Sequence, residues 1–272
     1  MENLGNGKRS AIIYCCLVFI VSWSLWIAAE RPGDVTLNIS VLLLDFHISR
    51  ETVLVILGNL APGLIAIVMG LLNEEKPFCN FLRPPKAPKF LYAFAIFAPL
   101  AIKLAMLMAQ ENLSLSAFAG LRLSGFVRLF LANILLAPLW EEIGWRGYLL
   151  PTLSTQIGLG RAGLLVGFIW ASWHLVLYRF VFRTSLYSYL VCIVVIVALA
   201  VLLAVLYSAS GNSLLLPILF HTSWNASANW VSGVEPRYGL GLAMLQAVAM
   251  WILAGIAWVW YRRLHDKPLA CP

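Results

Sequence analysis

The sequence predicts an all-α membrane protein, a bundle of about eight transmembrane helices enclosing a polar cavity. Three observations carry this fold class. Hydrophobic residues make up 61% of the 272-residue chain and charged residues 11%, against roughly 45–50% and about 25% in soluble domains. The apolar residues fall into runs long enough to cross a bilayer. Seven ionisable residues nevertheless lie inside those runs (Lys103, Arg128, Glu141, Glu142, Arg146, His174 and His221). Such groups are costly in lipid and face a bundle interior or a water-filled cavity. A soluble protein needs more charge to cover its surface, and disordered or nucleic-acid-binding chains need more again. The mean hydropathy of +0.86 agrees.

A spanning helix takes about 20 mostly apolar residues. Eight stretches qualify: 11–29, 52–72, 90–109, 126–150, 161–178, 186–208, 213–231 and 240–262. The first follows Lys8 and Arg9 and ends at Ala28-Ala29, in the manner of a signal peptide. Its 19 apolar residues exceed the roughly 7–15 of a signal sequence, so it reads as an uncleaved anchor. Residues 1–272 form one integral-membrane domain, without internal repeats or low-complexity tracts. Cys15, Cys16, Cys79, Cys192 and Cys271 show no paired spacing, which argues against a disulfide framework or thiolate metal site. The Asn-x-Ser triplets at Asn38, Asn112 and Asn225 carry little information, and Asn225 lies within a span.

The net charge of +7 marks cytoplasmic loops here rather than nucleic acid, because Lys and Arg concentrate on that side. With the N-terminus inside, the cytoplasmic segments hold ten Lys or Arg and the outer segments six. The 73–89 loop, with Lys76, Arg83, Lys86 and Lys89 among four prolines, is the strongest part of the bias. Both termini are expected in the cytoplasm.

Within the spans, Lys103 and Arg128 are single basic residues, expected to snorkel or to find backbone partners. The other five ionisable residues fall in three motifs. The fourth span reads Pro138-Leu139-Trp140-Glu141-Glu142-Ile143-Gly144-Trp145-Arg146. Successive helical residues point about 100° apart, so the two carboxylates face different directions. Glu142 and Arg146 are four apart and can pair. Glu141 then lacks a local cation, which leaves it available as a general base. Pro138 disturbs the preceding turn, a break tolerated where the backbone lines a cavity. The fifth span carries Trp170-Ala171-Ser172-Trp173-His174, and the seventh carries His221-Thr222-Ser223-Trp224-Asn225. His221 and Asn225 share one helix face and could aim two donors at one point, the makeup of an oxyanion site. Asn229 continues that face. Each motif taken alone also fits a structural polar contact between helices.

Depth brings the motifs together. At a rise of 1.5 Å per residue, Glu141 lies roughly 14 Å from the cytoplasmic end of its helix, His174 about 20 Å and His221 about 12 Å. Three motifs at similar depth on three helices could meet in one cavity in the inner half of the bilayer.

At these residues the sequence resembles the CPBP family, the CAAX prenyl protease and abortive-infection group of intramembrane proteases. That family's pattern is Glu-Glu-x-x-x-Arg, Phe-x-x-x-His and His-x-x-x-Asn on separate spanning helices. Glu141-Glu142-x-x-x-Arg146 and His221-x-x-x-Asn225 match it. The middle motif keeps His174 but has Trp170 at the phenylalanine position, a departure expected to alter packing rather than chemistry. The resemblance covers 126–231, which would be the catalytic core. It implies an eight-helix bundle around a conical cavity open to the cytosol and inner leaflet, and hydrolysis of a peptide bond near the cytoplasmic face. The type II CAAX prenyl endopeptidases act on prenylated C-terminal tails. By this resemblance Glu141 and His174 activate water, His221 and Asn225 stabilise the oxyanion, and Glu142, Arg146 and Trp170 hold the site or contact substrate.

Glu141, His174 and His221 would also make a three-ligand set for one catalytic zinc. The His-Glu-x-x-His arrangement of common zinc proteases is absent, and the metal-free reading is slightly preferred. The expected partners are membrane lipid and a peptide or prenylated protein C-terminus, with no nucleic acid. Nothing in the sequence specifies an oligomeric state. The competing readings are a non-catalytic membrane protein binding a peptide or lipid headgroup, for bacteriocin immunity or as a scaffold, and, more weakly, a transporter lacking repeated halves.

Overall fold

The computed structural model describes residues 2–30, 36–41, 44–72, 86–109, 121–232 and 240–265. Helices occupy all eight apolar stretches: α1 (Glu2–Glu30), α2 (Arg50–Leu72), α3 (Lys89–Met108), a broken fourth span, α7 (Leu159–Trp173), α8 (Leu186–Ala209), α9 (Leu215–Ser232) and α10 (Leu240–His265). The fourth span comprises α4 (Leu123–Leu136), α5 (Pro138–Gly144), a π-helical turn (Trp145–Leu149) and α6 (Leu150–Ile157). Among the described residues, seven helical segments are long and apolar enough to cross a membrane. The chain is thus an integral, multi-pass membrane protein. α9 falls short because His221, Thr222, Ser223, Asn225, Ser227 and Asn229 interrupt its apolar character.

An antiparallel hairpin, β1 (Thr36–Val41) with β2 (Leu44–Ser49), leads into α2. It adds to the helical bundle an element the sequence reading did not contain. Apolar and polar residues alternate with period two in both strands, and the register sets Ile39 opposite Phe46 and Asn38 opposite His47. That alternation is the signature of a strand.

α8 is apolar on every side and packs against α7, α9 and α10, as expected of a helix buried all round. Gly163 and Gly167 let α7 approach it closely: a Cβ on Gly167 would stand 3.0 Å from Val197 Cα and Ala200 Cβ. Small residues at such contacts allow helix backbones to meet without a side-chain layer between them.

The fourth span breaks where the proline predicts. Ala137 leaves helical geometry (φ −145°, ψ −62°) and Pro138 opens α5, a position where its missing N–H costs no hydrogen bond. α5 is then pressed against α2. A Cβ on Gly63 would lie 2.6 Å from the Trp140 carbonyl oxygen, and one on Gly144 would lie 2.3 Å from the Tyr14 hydroxyl and 2.7 Å from the Pro62 carbonyl carbon. Tyr14 donates its hydroxyl to the Pro62 carbonyl at 3.2 Å, so α1, α2 and α5 are locked beside the paired carboxylates.

α7 ends just before His174, and a second π-helical turn follows at Leu177–Val181. Carbonyls near the break are taken up by side chains from other helices. Tyr189 donates to Ala171 O at 2.7 Å and Trp23 Nε1 donates to Trp173 O at 2.9 Å. α9 is tied to α3 by Ser223, which donates to Ile96 O at 2.5 Å, and by the Phe94–Phe220 ring contact at 5.7 Å.

Lys103 corrects one expectation. It neither snorkels nor pairs with backbone: it is 5% exposed and donates to Gln246 Oε1 at 2.6 Å, with its ammonium 4.1 Å above the Trp224 ring. The packing of α3, α9 and α10 supplies partners that a single-helix reading does not contain. Arg128 is exposed near the start of α4. Cys15, Cys16 and Cys192 are free thiols; Cys79 and Cys271 lie outside the described residues, as do Asn112 and most of the basic 73–89 loop.

Candidate active site

The polar residues of α5, the π turn, α7 and α9 form one buried cluster. Glu141 and Glu142 are 3% and 0% exposed, Arg146 0% and His221 3%. The i,i+4 pair forms as the spacing predicts, with Arg146 Nη1 donating to Glu142 Oε1 at 3.0 Å. The same oxygen receives His221 Nδ1 at 2.8 Å. A carboxylate already taking an arginine proton can only accept, so His221 donates from Nδ1 and presents Nε2 on its opposite side. Glu142 therefore couples α5 to α9 across 79 positions of sequence.

Glu141 has no cation on its own helix, as the sequence indicates, but it does have a partner. Trp170 Nε1 donates to Glu141 Oε2 at 2.6 Å. The expectation that tryptophan at this position changes only packing is corrected: the ring brings an N–H into the carboxylate pair. Trp170 also lies beneath the Arg146 guanidinium, 4.4 Å from its ring centre, and meets the His221 ring edge-on at 5.1 Å.

His174 follows the last residue of α7, half-buried, with Nδ1 donating to the Trp170 carbonyl at 3.0 Å. This bond assigns the Nδ1–H tautomer and leaves Nε2 with its lone pair. Trp173 and Tyr178 pack edge-on against the His174 ring at 4.8 and 5.4 Å. Tyr178 sits in the second π-helical turn. Sequence reading passed over it because nothing in an apolar run marks which tyrosine meets a histidine.

Asn225 is half-buried one turn beyond His221, and Asn229 is exposed at the next turn. Among the described residues none is hydrogen-bonded to the Asn225 side chain. The structure thus joins Glu141, Glu142, Arg146, Trp170 and His221 by direct contact, attaches His174 through the Trp170 carbonyl, and leaves Asn225 one helical turn from His221.

Several buried polar atoms of the cluster meet no protein partner among the described residues: Glu142 Oε2, and Arg146 Nε and Nη2. Buried groups of this kind are ordinarily satisfied by water or by a ligand. A metal is a different matter. Both imidazoles have Nδ1 anchored, as zinc-bound imidazoles do. Yet among the described residues no three His, Cys, Asp or Glu side chains gather closely enough to hold an ion. As arranged, the Glu141, His174 and His221 donors do not fit a resident zinc.

Comparison with known proteins falls on the same region. Residues 123–227 match the Rce1-like type II CAAX prenyl endopeptidases, an interval containing every residue of the cluster. CAAX prenyl protease 2 of Methanococcus maripaludis is 25% identical, with 80% of this chain and 83% of that protein covered. Over the helical segment that carries its two carboxylates, arginine, two histidines and asparagine, the chain is thus similar to the type II CAAX prenyl endopeptidases.

Proposed function

We propose that this protease cuts a peptide bond near the cytoplasmic membrane face, in a prenylated or otherwise membrane-anchored C-terminal tail, and that residues 126–231 are its catalytic core. Glu141 takes a proton from a water held between its carboxylate and His174 Nε2. The water oxygen attacks the scissile carbonyl carbon. His221, from its Nε2 edge, and the Asn225 amide meet the oxyanion. The proton passes from Glu141 to the departing amine as the C–N bond breaks, and the new carboxylic acid gives its remaining proton to that amine, leaving a carboxylate and an ammonium. Glu142 and Arg146 hold His221 in place. The substrate class rests on the printed names of the relatives.

The observation that carries this reading is the joining of three helices at one buried point, with Glu142 receiving Arg146 and His221 on one oxygen and Glu141 receiving Trp170 next to them.

The test is cleavage of a farnesylated C-terminal peptide by purified protein in liposomes. Glu141→Gln keeps an acceptor for Trp170 but cannot take a proton, so cleavage falls to background while the protein stays folded. Asn225→Ala removes one oxyanion donor, which costs about 10²–10³ in rate at such sites and leaves measurable activity. Chelation leaves the wild-type rate in place. Stoichiometric zinc, lost with activity on chelation and restored by adding it back, overturns the metal-free reading. Wild-type cleavage by Glu141→Gln overturns the assignment of the base.

A further inference from the structure

We propose that the indole N–H of Trp170 is the positioning donor for the active-site carboxylate, holding Glu141 Oε2 so that Oε1 faces the water it deprotonates. This inference rests on the assignment of Glu141 as base.

Glu141 has no means of orientation on its own helix. One turn before it stands Ala137, which has no side-chain donor, and one turn after it Trp145, whose buried indole N–H meets no partner among the described residues. Arg146 Nη1 is committed to Glu142. Among the described residues, the Trp170 indole is the side chain that donates to Glu141, at 2.6 Å and in a buried setting. A carboxylate turns easily about its terminal bonds, and a general base displaced by about 1 Å loses roughly a hundredfold in rate. One anchored oxygen leaves the other as the proton acceptor.

The same residue has three further contacts with the cluster, and they separate its N–H from its bulk. Its ring face supports Arg146 and its ring edge meets His221. Its main-chain carbonyl accepts from His174. A phenylalanine at 170 would supply the carbonyl unchanged and a ring for the other two contacts. The donor to Glu141 is what a phenylalanine lacks. Trp170 therefore acts on the reaction through Glu141, without touching substrate.

The experiment replaces Trp170 by 3-benzothienylalanine through suppression at that codon, in full-length protein in liposomes, alongside Trp170→Phe. Benzothienylalanine keeps the bicyclic ring and substitutes sulfur for the N–H. A third form carries 5-fluorotryptophan, which keeps the donor. Loss of the donor should lower kcat for the farnesylated peptide about ten- to a hundredfold, the range spanned by hydrogen bonds to charged groups. KM should stay within about twofold, the thermal midpoint should be unchanged, and 5-fluorotryptophan should restore kcat. A purely packing role predicts the reverse: full kcat with benzothienylalanine, or a rise in KM and a fall in midpoint shared by all three forms, and either result overturns the proposal. Glu141→Gln is run in parallel. If it is inactive while the benzothienylalanine form is fully active, the positioning role fails and the base assignment stands. If Glu141→Gln is active, the base assignment itself fails, and this proposal with it.

Discussion

Glu142 is the residue on which the cluster balances. One oxygen receives both Arg146 and His221, so removing the carboxylate strands two donors in a buried setting, whereas removing Arg146 still leaves Glu142 paired with His221. Breaking a buried ion pair by deleting one partner costs about 3–5 kcal/mol, mostly from the charge left behind. Glu142→Ala should accordingly be the more damaging substitution, Arg146→Ala the milder, and the double substitution less damaging than their sum. Thermal midpoints in detergent measure all three. Strict additivity, within about 0.5 kcal/mol, would mean that the two side chains do not form one unit. The pair itself was legible, because i,i+4 spacing places two side chains on one helix face whatever the tertiary context. The partner of Glu141 was not. Trp170 lies 29 positions away, and nothing in the motif says that an indole rather than a cation meets the second carboxylate.

At the scale of elements, the site depends on interrupted helices. Pro138 restarts the fourth span just before the carboxylates, and the π-helical turn at Trp145–Leu149 carries Arg146. Such turns within helices are frequent at functional sites. The proline break could be read from sequence, since a proline cannot continue a helical hydrogen-bond ladder. The π turns could not, because no residue type demands them. The strands Thr36–Val41 and Leu44–Ser49 carry a legible period-two alternation, a signal of six residues each that is weak beside apolar runs of about 20. The close contact of α5 with α2 makes a specific prediction. Gly144→Ala would place a Cβ against Tyr14 and the Pro62 backbone, and backbone cannot move aside as a flexible side chain can. Overpacking of this kind costs about 1–3 kcal/mol, and here it would also displace Glu141 and Glu142. Both the thermal midpoint and kcat should fall. Gly255→Ala, where an added Cβ meets nothing within 4 Å, serves as the control and should leave both unchanged or raise the midpoint. Equal behaviour of the two variants would refute the idea that the α2–α5 contact sets the site.

For the whole molecule, the prediction concerns sidedness. The Lys86 N–H bonds to Ser210 O, which ties the segment before α3 to the turn between α8 and α9. Trp230 Nε1 bonds to Arg122 O, which ties the end of α9 to the start of α4. Cysteines introduced at Lys86 and Asn212 in a cysteine-free background should therefore react with a membrane-impermeant maleimide from one side, and cysteines at Arg122 and Leu123 from the other. From the Lys/Arg distribution the first side is expected to be the cytoplasm. Labelling of Lys86 and Asn212 from opposite sides would contradict the packing. Labelling of both from outside would reverse the orientation and move the site to the outer half of the bilayer.

The sequence by itself determined that the chain is a helical membrane protein, where its spanning segments run, which polar residues those segments carry and which of them share a helix face. These are local properties, set by hydropathy, helical periodicity and the conformational limits of proline. Only the tertiary structure decided which helices meet. That meeting joins Glu142 to His221, gives Glu141 an indole partner, anchors His174 on the Trp170 carbonyl and buries Lys103 between Gln246 and Trp224. The physical reason is that a charged side chain in an apolar bundle must find its partner wherever packing provides one, and packing is settled by glycine contacts and helix breaks spread over the whole chain.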